Sequence, residues 1–273
     1  MTNTTPGTDR DGAIQDPADV RRMFDRIVPR YDLMNRIMTG GRDEAWRKRV
    51  ARQAVETAPP GAARVLDVAT GTGDLAFATA NAGATEVIGL DFSEGMIAEA
   101  RRKAMTRPGN VSFVVGDAMA LPFPEGEFDA CTVGFGLRNM PDYNAAIASM
   151  ARILKPGGRL ICLEMTPIQR PIAGPAFRFL FGKVLPLIGG LLNRDRSAYR
   201  YLPQSVEAFP NAHDLAERMH AAGLDDVGYT LYGLGTVAIH TGRKPLDAVS
   251  SRRSAVIARD ETGSGVSWDC LTG

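Results

Sequence analysis

Apolar and polar positions along this chain change their period as it runs from one end to the other. Between residues 17 and 58, Val20, Phe24, Ile27, Leu33, Ile37, Met38, Trp46 and Val50 recur at helical spacing. Pro29 and Gly40-Gly41 divide that pattern into short helices, and Ala58-Pro-Pro-Gly61 ends it. From residue 64 short apolar runs alternate with helix-patterned segments. Strands are predicted at 64–68, 86–91, 111–115, 128–133 and 159–164, and helices at 74–82, 93–105 and 143–154, the second capped by Ser93. Lys155-Pro-Gly-Gly158 reads as the turn into the fifth strand. Such alternation implies right-handed crossovers and a parallel sheet with helices on both faces. After Pro167 an apolar, helix-like insertion runs to about residue 200. A helix at 212–222 follows, with Asn211 as its cap and Gly223 as its stop, and strands at 225–232 and 235–241 complete the pattern.

The predicted fold is therefore α/β: a mostly parallel seven-stranded sheet, an N-terminal helical cap and a helical insertion after the fifth strand. Residues 17–245 form one domain, divided into a cap (17–60), a core (61–166), the insertion (167–200) and C-terminal helix and strands (201–245). Residues 1–16 are polar and 246–273 are rich in Ser, Arg and Gly, and both ends read as disordered tails.

Composition narrows the chemistry. The 273 residues carry a formal charge of +1, which makes no electrostatic case for nucleic acid. Cys131, Cys162 and Cys270 are dispersed and odd in number, against a disulfide framework and in keeping with a reducing cytoplasm. His213, His220 and His240 form no zinc-binding pattern with them, so no metal is expected. His213 and His240 read as structural. The segment 176–192 is interrupted by Arg178, Lys183 and Pro186, too much so for a membrane span.

Three acidic residues fall at predicted strand ends: Asp67, Asp91 and Asp117. In an open α/β sheet ligands bind at the carboxyl ends of the strands. A carboxylate at the end of the second strand can accept hydrogen bonds from both ribose hydroxyls of a nucleoside. The turn Ala69-Thr-Gly-Thr-Gly73 lacks the third glycine of a dinucleotide fingerprint, and Asp67 and Asp74 flank it. Carboxylates there repel phosphates and suit a cation, such as a sulfonium with an ammonium tail. The pattern favours S-adenosylmethionine over a dinucleotide.

The run Leu66-Asp-Val-Ala-Thr-Gly-Thr-Gly-Asp74 resembles the first motif of class I methyltransferases, whose fold is Rossmann-like. Gly116-Asp-Ala118 with Leu121-Pro-Phe-Pro124 and Phe128-Asp129, and Leu154-Lys-Pro-Gly-Gly-Arg-Leu160, resemble later motifs of that superfamily. More restrictive segments are Tyr31-Asp-Leu-Met-Asn35, Gly134-Phe-Gly-Leu-Arg-Asn139, Ser197-Ala-Tyr-Arg-Tyr-Leu-Pro203 and Gly235-Thr-Val-Ala-Ile-His240 with Gly242-Arg-Lys-Pro245. They resemble the menaquinone/ubiquinone biosynthesis C-methyltransferases. The resemblance implies cofactor contacts at Asp67, Gly71, Thr72, Gly73, Asp91, Phe92, Asp117, Ala118 and Gly134. Gly134 offers only its backbone where many ubiquinone-type relatives have Ser, which tilts the reading towards the menaquinone branch.

The same resemblance implies that a ring carbon of a polyprenylated quinol attacks the sulfonium methyl, most simply demethylmenaquinol becoming menaquinol; a ubiquinone-pathway benzoquinol or another small acceptor is the alternative. The reduced ring is needed, since a quinone is itself electrophilic. Arg138, Tyr31 and Asn139 are the catalytic candidates, and Asn35, Arg138 and Tyr201 the substrate contacts. Arg138 suits a developing phenolate; an ion pair with a nearby carboxylate is its alternative. The apolar stretch 172–192 suits a polyprenyl tail and transient contact with a membrane surface, or else packing on the sheet or in a homodimer. A cytoplasmic protein, peripheral at the inner face of the membrane, is the corresponding localisation.

Overall fold

The structure, a computed structural model, describes residues 28, 32, 35, 36, 39–107, 109–167, 204–246 and 256–261. Tyr31, Tyr201, residues 1–16 and the insertion at 172–192 lie outside the described residues. Its elements are α1 (Asp43–Val55), β1 (Arg64–Val68), α2 (Asp74–Asn81), β2 (Glu86–Asp91), α3 (Glu94–Ala104), β3 (Val111–Val115), β4 (Phe128–Gly134), α4 (Tyr143–Arg152), β5 (Leu154–Met165), α5 (Ala212–Ala221), β6 (Asp225–Tyr232), β7 (Val237–Arg243) and β8 (Ile257–Asp260).

Side-chain caps start three of the helices. Ser93 accepts from the Met96 amide, Asp142 from the Asn144 and Ala145 amides, and Asn211 from the His213 and Asp214 amides. Each supplies a partner to an amide the helix itself leaves open. Gly223, at φ +86°, ends α5 in the left-handed conformation that glycine adopts at least cost.

The sheet runs β3-β2-β1-β4-β5-β7-β6-β8. The first five strands are mutually parallel, β7 lies antiparallel between β5 and β6, and β8 is parallel to β6. Among the described residues eight strands stand where seven were predicted. The extra one, Ile257–Asp260, comes from the segment read as a disordered tail, and it pairs through Gly228 to Leu231. Only four residues long and half exposed, it lacks the apolar run that marks the central strands. The predicted turn 155–158 is absorbed into β5, with Gly157 at φ +78° and a register shift opposite Phe128 and Ala130.

Residues of the central strands alternate between two buried layers. Leu66, Cys131, Val133 and Leu160 meet Ile147 and Met150 of α4 and Leu215 and Met219 of α5. Val65, Ala130, Ile161 and Leu163 meet Trp46, Val50 and Ala54, the buried stripe of α1. Both faces of β1 are therefore covered, and the chain reverses its strand order between β1 and β4. That reversal opens a crevice at the carboxyl ends of those strands.

His240 of β7 is buried, and its Nε2 lies 2.8 Å from the Ala212 carbonyl oxygen. A carbonyl only accepts, so Nε2 carries the proton, and Nδ1 has no partner among the described residues. Burial pushes its pKa down to about 4, against the smaller opposing effect of the Ala212 hydrogen bond. The unfolded chain takes up this proton near pH 6.5 and the folded one does not, so the folded state loses stability as pH falls from 6.5 towards 4. The full effect is about 3 kcal/mol. In thermal melts the decline in Tm between pH 6.5 and 4.5 is expected to be shallower for His240→Gln than for the natural chain; equal slopes would remove His240 as the cause.

Candidate functional site

The crevice holds a cavity of about 450 Å³ whose wall is built from strand ends. Ala69 and Gly71 come from the turn after β1, Leu90, Asp91 and Phe92 from the end of β2, Val115, Gly116, Asp117, Ala118 and Met119 from the end of β3, and Phe135, Gly136, Asn139, Met140 and Pro141 from beyond β4. The volume falls in the range of small-molecule sites, and the wall is mostly apolar with a few convergent polar groups.

Backbone geometry is strained where the turns after β1 and β4 meet. Ala69 and Phe135 both hold positive φ, at 52° and 58°. Such conformations in residues with a Cβ persist only where the surroundings enforce them, and they gather at functional sites. A Cβ on Gly136 would stand 2.5 Å from the Cβ of Ala69. The two turns therefore touch only because position 136 has no side chain.

Asp91 anchors the wall. Its Oδ2 accepts from the Gly71 amide at 2.8 Å and its Oδ1 from the Ser93 amide at 2.9 Å. The carboxylate ties β2 to the turn after β1 and faces the cavity. Asp117 is exposed at the rim, where Oδ1 accepts from the Met119 amide at 2.9 Å.

Other sequence candidates stand elsewhere. Asp67 is fully buried and accepts from the hydroxyls of Thr70 (2.6 Å) and Thr132 (2.8 Å). Burial pushes its carboxyl up to about 6, against those two hydrogen bonds, which act to lower it. Together with Asp32, Arg47, Thr72, Asp74 and Gly134 it lines a small polar recess that shares Ala69 with the cavity. The Thr72 hydroxyl donates to Asp32 at 2.6 Å and so is already engaged. Gly73 does a packing job, since a Cβ there would stand 2.7 Å from the Phe113 ring. Gly134 ends β4, and a Cβ on it would meet the Leu75 side chain at 3.1 Å. Asn35 is buried, and its carbonyl accepts from the Thr39 hydroxyl.

Arg138 follows β4 but is absent from the cavity wall. Its Nη1 donates to Glu164 Oε1 and to the Phe135 carbonyl at 2.7 Å, and its amide donates to Glu164 Oε2 at 3.2 Å. Glu164 is 1% exposed, so this ion pair is desolvated. The Arg138 Nε has no partner among the described residues.

Of the sequence candidates, then, Gly71, Asp91, Phe92, Asp117, Ala118 and Asn139 share one cavity. Sequence reasoning missed its apolar wall, Leu90, Met96, Val115 and Met119, because lone apolar residues carry no signal of what they face. Gly136 was within reach, as the second glycine of Gly134-Phe-Gly136.

The family model described as the ubiE/COQ5 methyltransferase family matches residues 13–244. The chain belongs to that family. It is an S-adenosylmethionine-dependent methyltransferase. A relative from Thermus thermophilus named demethylmenaquinone methyltransferase is 49% identical over 82% of this chain and 100% of its own length. Another, from Desulfotalea psychrophila, named ubiquinone/menaquinone biosynthesis C-methyltransferase, is 42% identical over 82% of this chain and 90% of its own. Among solved structures, a Thermotoga maritima SAM-dependent methyltransferase aligns with TM-score 0.55 and 21% identity, covering 82% of this chain and 99% of its own. That likeness carries the fold of this methyltransferase.

Two measurements follow from the geometry. Gly136→Ala in this methyltransferase forces Ala69 or the β4 turn to move, and is expected to lower stability by about 1–3 kcal/mol, as overpacking does. It should also weaken cofactor binding by calorimetry; unchanged melting and affinity would show that the turns yield freely. Ionised Asp67 favours a cation in the neighbouring recess. Below its pKa of about 6 the carboxyl is neutral, so affinity for the sulfonium cofactor is expected to fall between pH 7 and 5. The fall should be smaller in Asp67→Asn, and smaller again for the uncharged thioether product; a flat profile in the natural chain would contradict this.

Proposed function

We propose that this methyltransferase transfers a methyl group to a ring carbon of a polyprenylated quinol, with demethylmenaquinol as the acceptor. The observation that carries the reading is the extent of likeness to the Thermus thermophilus relative, whose whole length is matched and whose name is demethylmenaquinone methyltransferase. A benzoquinol acceptor is the second reading, supported by the Desulfotalea psychrophila relative, whose name joins both quinone pathways.

The residues of the cavity fit S-adenosylmethionine. Asp91 and Asp117 present carboxylates that suit the hydroxyl and amino donors of an adenosine and disfavour a pyrophosphate. Leu90, Met96 and Met119 supply apolar surface for a purine ring. In this reading Asp91 holds the ribose, Asp117 and Ala118 the adenine, and Gly71 and Phe92 close the wall, while Asp67, Thr72, Gly73 and Gly134 shape the turn and recess behind it. When bound, the cofactor supplies an electrophilic sulfonium methyl.

The acceptor side belongs to Arg138, Asn139, Asn35, Tyr31 and Tyr201. Glu164 holds Arg138 by one guanidinium nitrogen and by its amide, and so fixes the guanidinium next to Asn139 of the cavity wall. A donor already oriented in a dry site stabilises a quinol oxygen as it gains negative charge, with no reorganisation needed at that moment. That charge, delivered to the adjacent ring carbon, is what makes the carbon nucleophilic. Asn139 lines the cavity beside it and helps to place the ring. Among the described residues no helix is long and apolar enough to cross a membrane. The acceptor's prenyl chain supports a position at the cytoplasmic surface of the membrane, reached through residues 172–192.

The test is incubation with methyl-labelled S-adenosylmethionine and either reduced demethylmenaquinone or a reduced demethoxy-benzoquinone. Label is expected in the naphthoquinol product, and in that product preferentially. Label only in the benzoquinol would move the assignment to the second reading, and label in neither would end both.

A further inference from the structure

Lys103, in the last turn of α3, sits in an arginine- and lysine-rich run that reads as a solvated surface, yet its side chain is only 9% exposed. An ammonium has three donors. Here Nζ lies 2.6 Å from Asp32 Oδ2, 2.8 Å from Thr72 Oγ1 and 3.0 Å from Asp74 Oδ1, one acceptor for each. Thr72 Oγ1 donates in turn to Asp32 Oδ1 at 2.6 Å. Both oxygens of Asp32 are thus engaged. Burial acts to raise the pKa of Asp32, but the Lys103 and Thr72 hydrogen bonds together with the charges of Lys103 and Arg47 outweigh it and hold the carboxyl below its usual value.

Two distant parts of the chain, the N-terminal segment and the junction of β1 with α2, meet at this one cation. Asp32 belongs to the N-terminal segment ahead of α1, between Tyr31 and Asn35. Thr72 belongs to the turn after β1, and Asp74 opens α2. The same three residues line the polar recess next to the cavity. Remove the ammonium, and Asp32 and Asp74 face one another across Thr72. Arg47 at 3.7 Å and Arg107 at 3.6 Å still balance Asp74, whereas Asp32 keeps, among the described residues, one hydrogen bond from Thr72 and the more distant charge of Arg47. Repulsion between the carboxylates then acts to lift the N-terminal segment off the turn.

We propose that Lys103 is a positioning residue: it clasps the N-terminal segment onto the cofactor turn and so sets the acceptor-binding residues against the methyl donor. The inference rests on the reading that Tyr31 and Asn35 serve the acceptor. It also accounts for Thr72, whose hydroxyl is spent on the clasp.

The test uses the full chain with Lys103→Met, which keeps the apolar stem and removes the charge, and Asp32→Asn, which leaves α3 untouched. Limited trypsin digestion without ligands, read by mass spectrometry, is expected to cut at Arg36 faster in both variants than in the natural chain. With cofactor and quinol present, kcat/KM for the quinol should fall at least about tenfold, since a misplacement of roughly 1 Å costs on the order of a hundredfold in rate. The Kd for S-adenosylmethionine should change less than the quinol's kcat/KM, and the double variant should be no worse than either single one, because both break one unit. Unchanged cleavage at Arg36, additive losses, or a loss confined to cofactor affinity would each overturn the clasp. Failure of the natural chain to methylate a quinol would overturn the proposed acceptor instead, and the digestion would still decide whether Lys103 holds the segment.

Discussion

The close approach of the turns after β1 and β4 is the constraint on which the site depends. Position 136 has no Cβ, so Ala69 can lie against it; Ala69 and Phe135 hold left-handed backbone to keep both turns there. Each such conformation costs about 1–3 kcal/mol. The central sheet offsets that cost, because β1 and β4 are buried on both faces and paired through Val65 to Val68 with Ala130 to Val133. A rigid sheet is what permits a strained rim.

From that junction the chemistry spreads along neighbouring strand ends. Asp91 crosses from β2 to take the Gly71 amide, so the turn after β1 is tied to the neighbouring strand end. Asp67 lies underneath, paired with two threonine hydroxyls, and burial keeps its carboxyl within reach of neutral pH. Glu164 of β5 orients Arg138 from the next strand over. Lys103 adds a third layer on the outside and connects the N-terminal segment to the same turn. Carboxylates recur at every one of these points, in keeping with a site for a cationic methyl donor rather than a phosphorylated one.

The parallel core, the helix caps at Ser93 and Asn211 and the acidic strand ends were all legible in the sequence. They rest on local rules: apolar runs mark buried strands, and a side-chain oxygen ahead of a helix marks its start. The eighth strand was not legible. Residues 257–260 are half-exposed edge residues, and what makes them a strand is pairing with Gly228 to Leu231. Arg138 shows the same division. Its place after β4 could be read from the motif, whereas its partner Glu164 lies 26 residues away on another strand.

What the sequence determined by itself is therefore the fold class, the methyl donor and the family, because those depend on local patterns and on contiguous motifs. Only the tertiary structure decided which candidates share a cavity. It set Asp91 and Asn139 on the wall, drew Thr72 and Gly73 into supporting contacts, and brought in Lys103 from the last turn of α3. Such contacts join residues far apart in the chain, and the energy that selects them comes from burial, which no local pattern records.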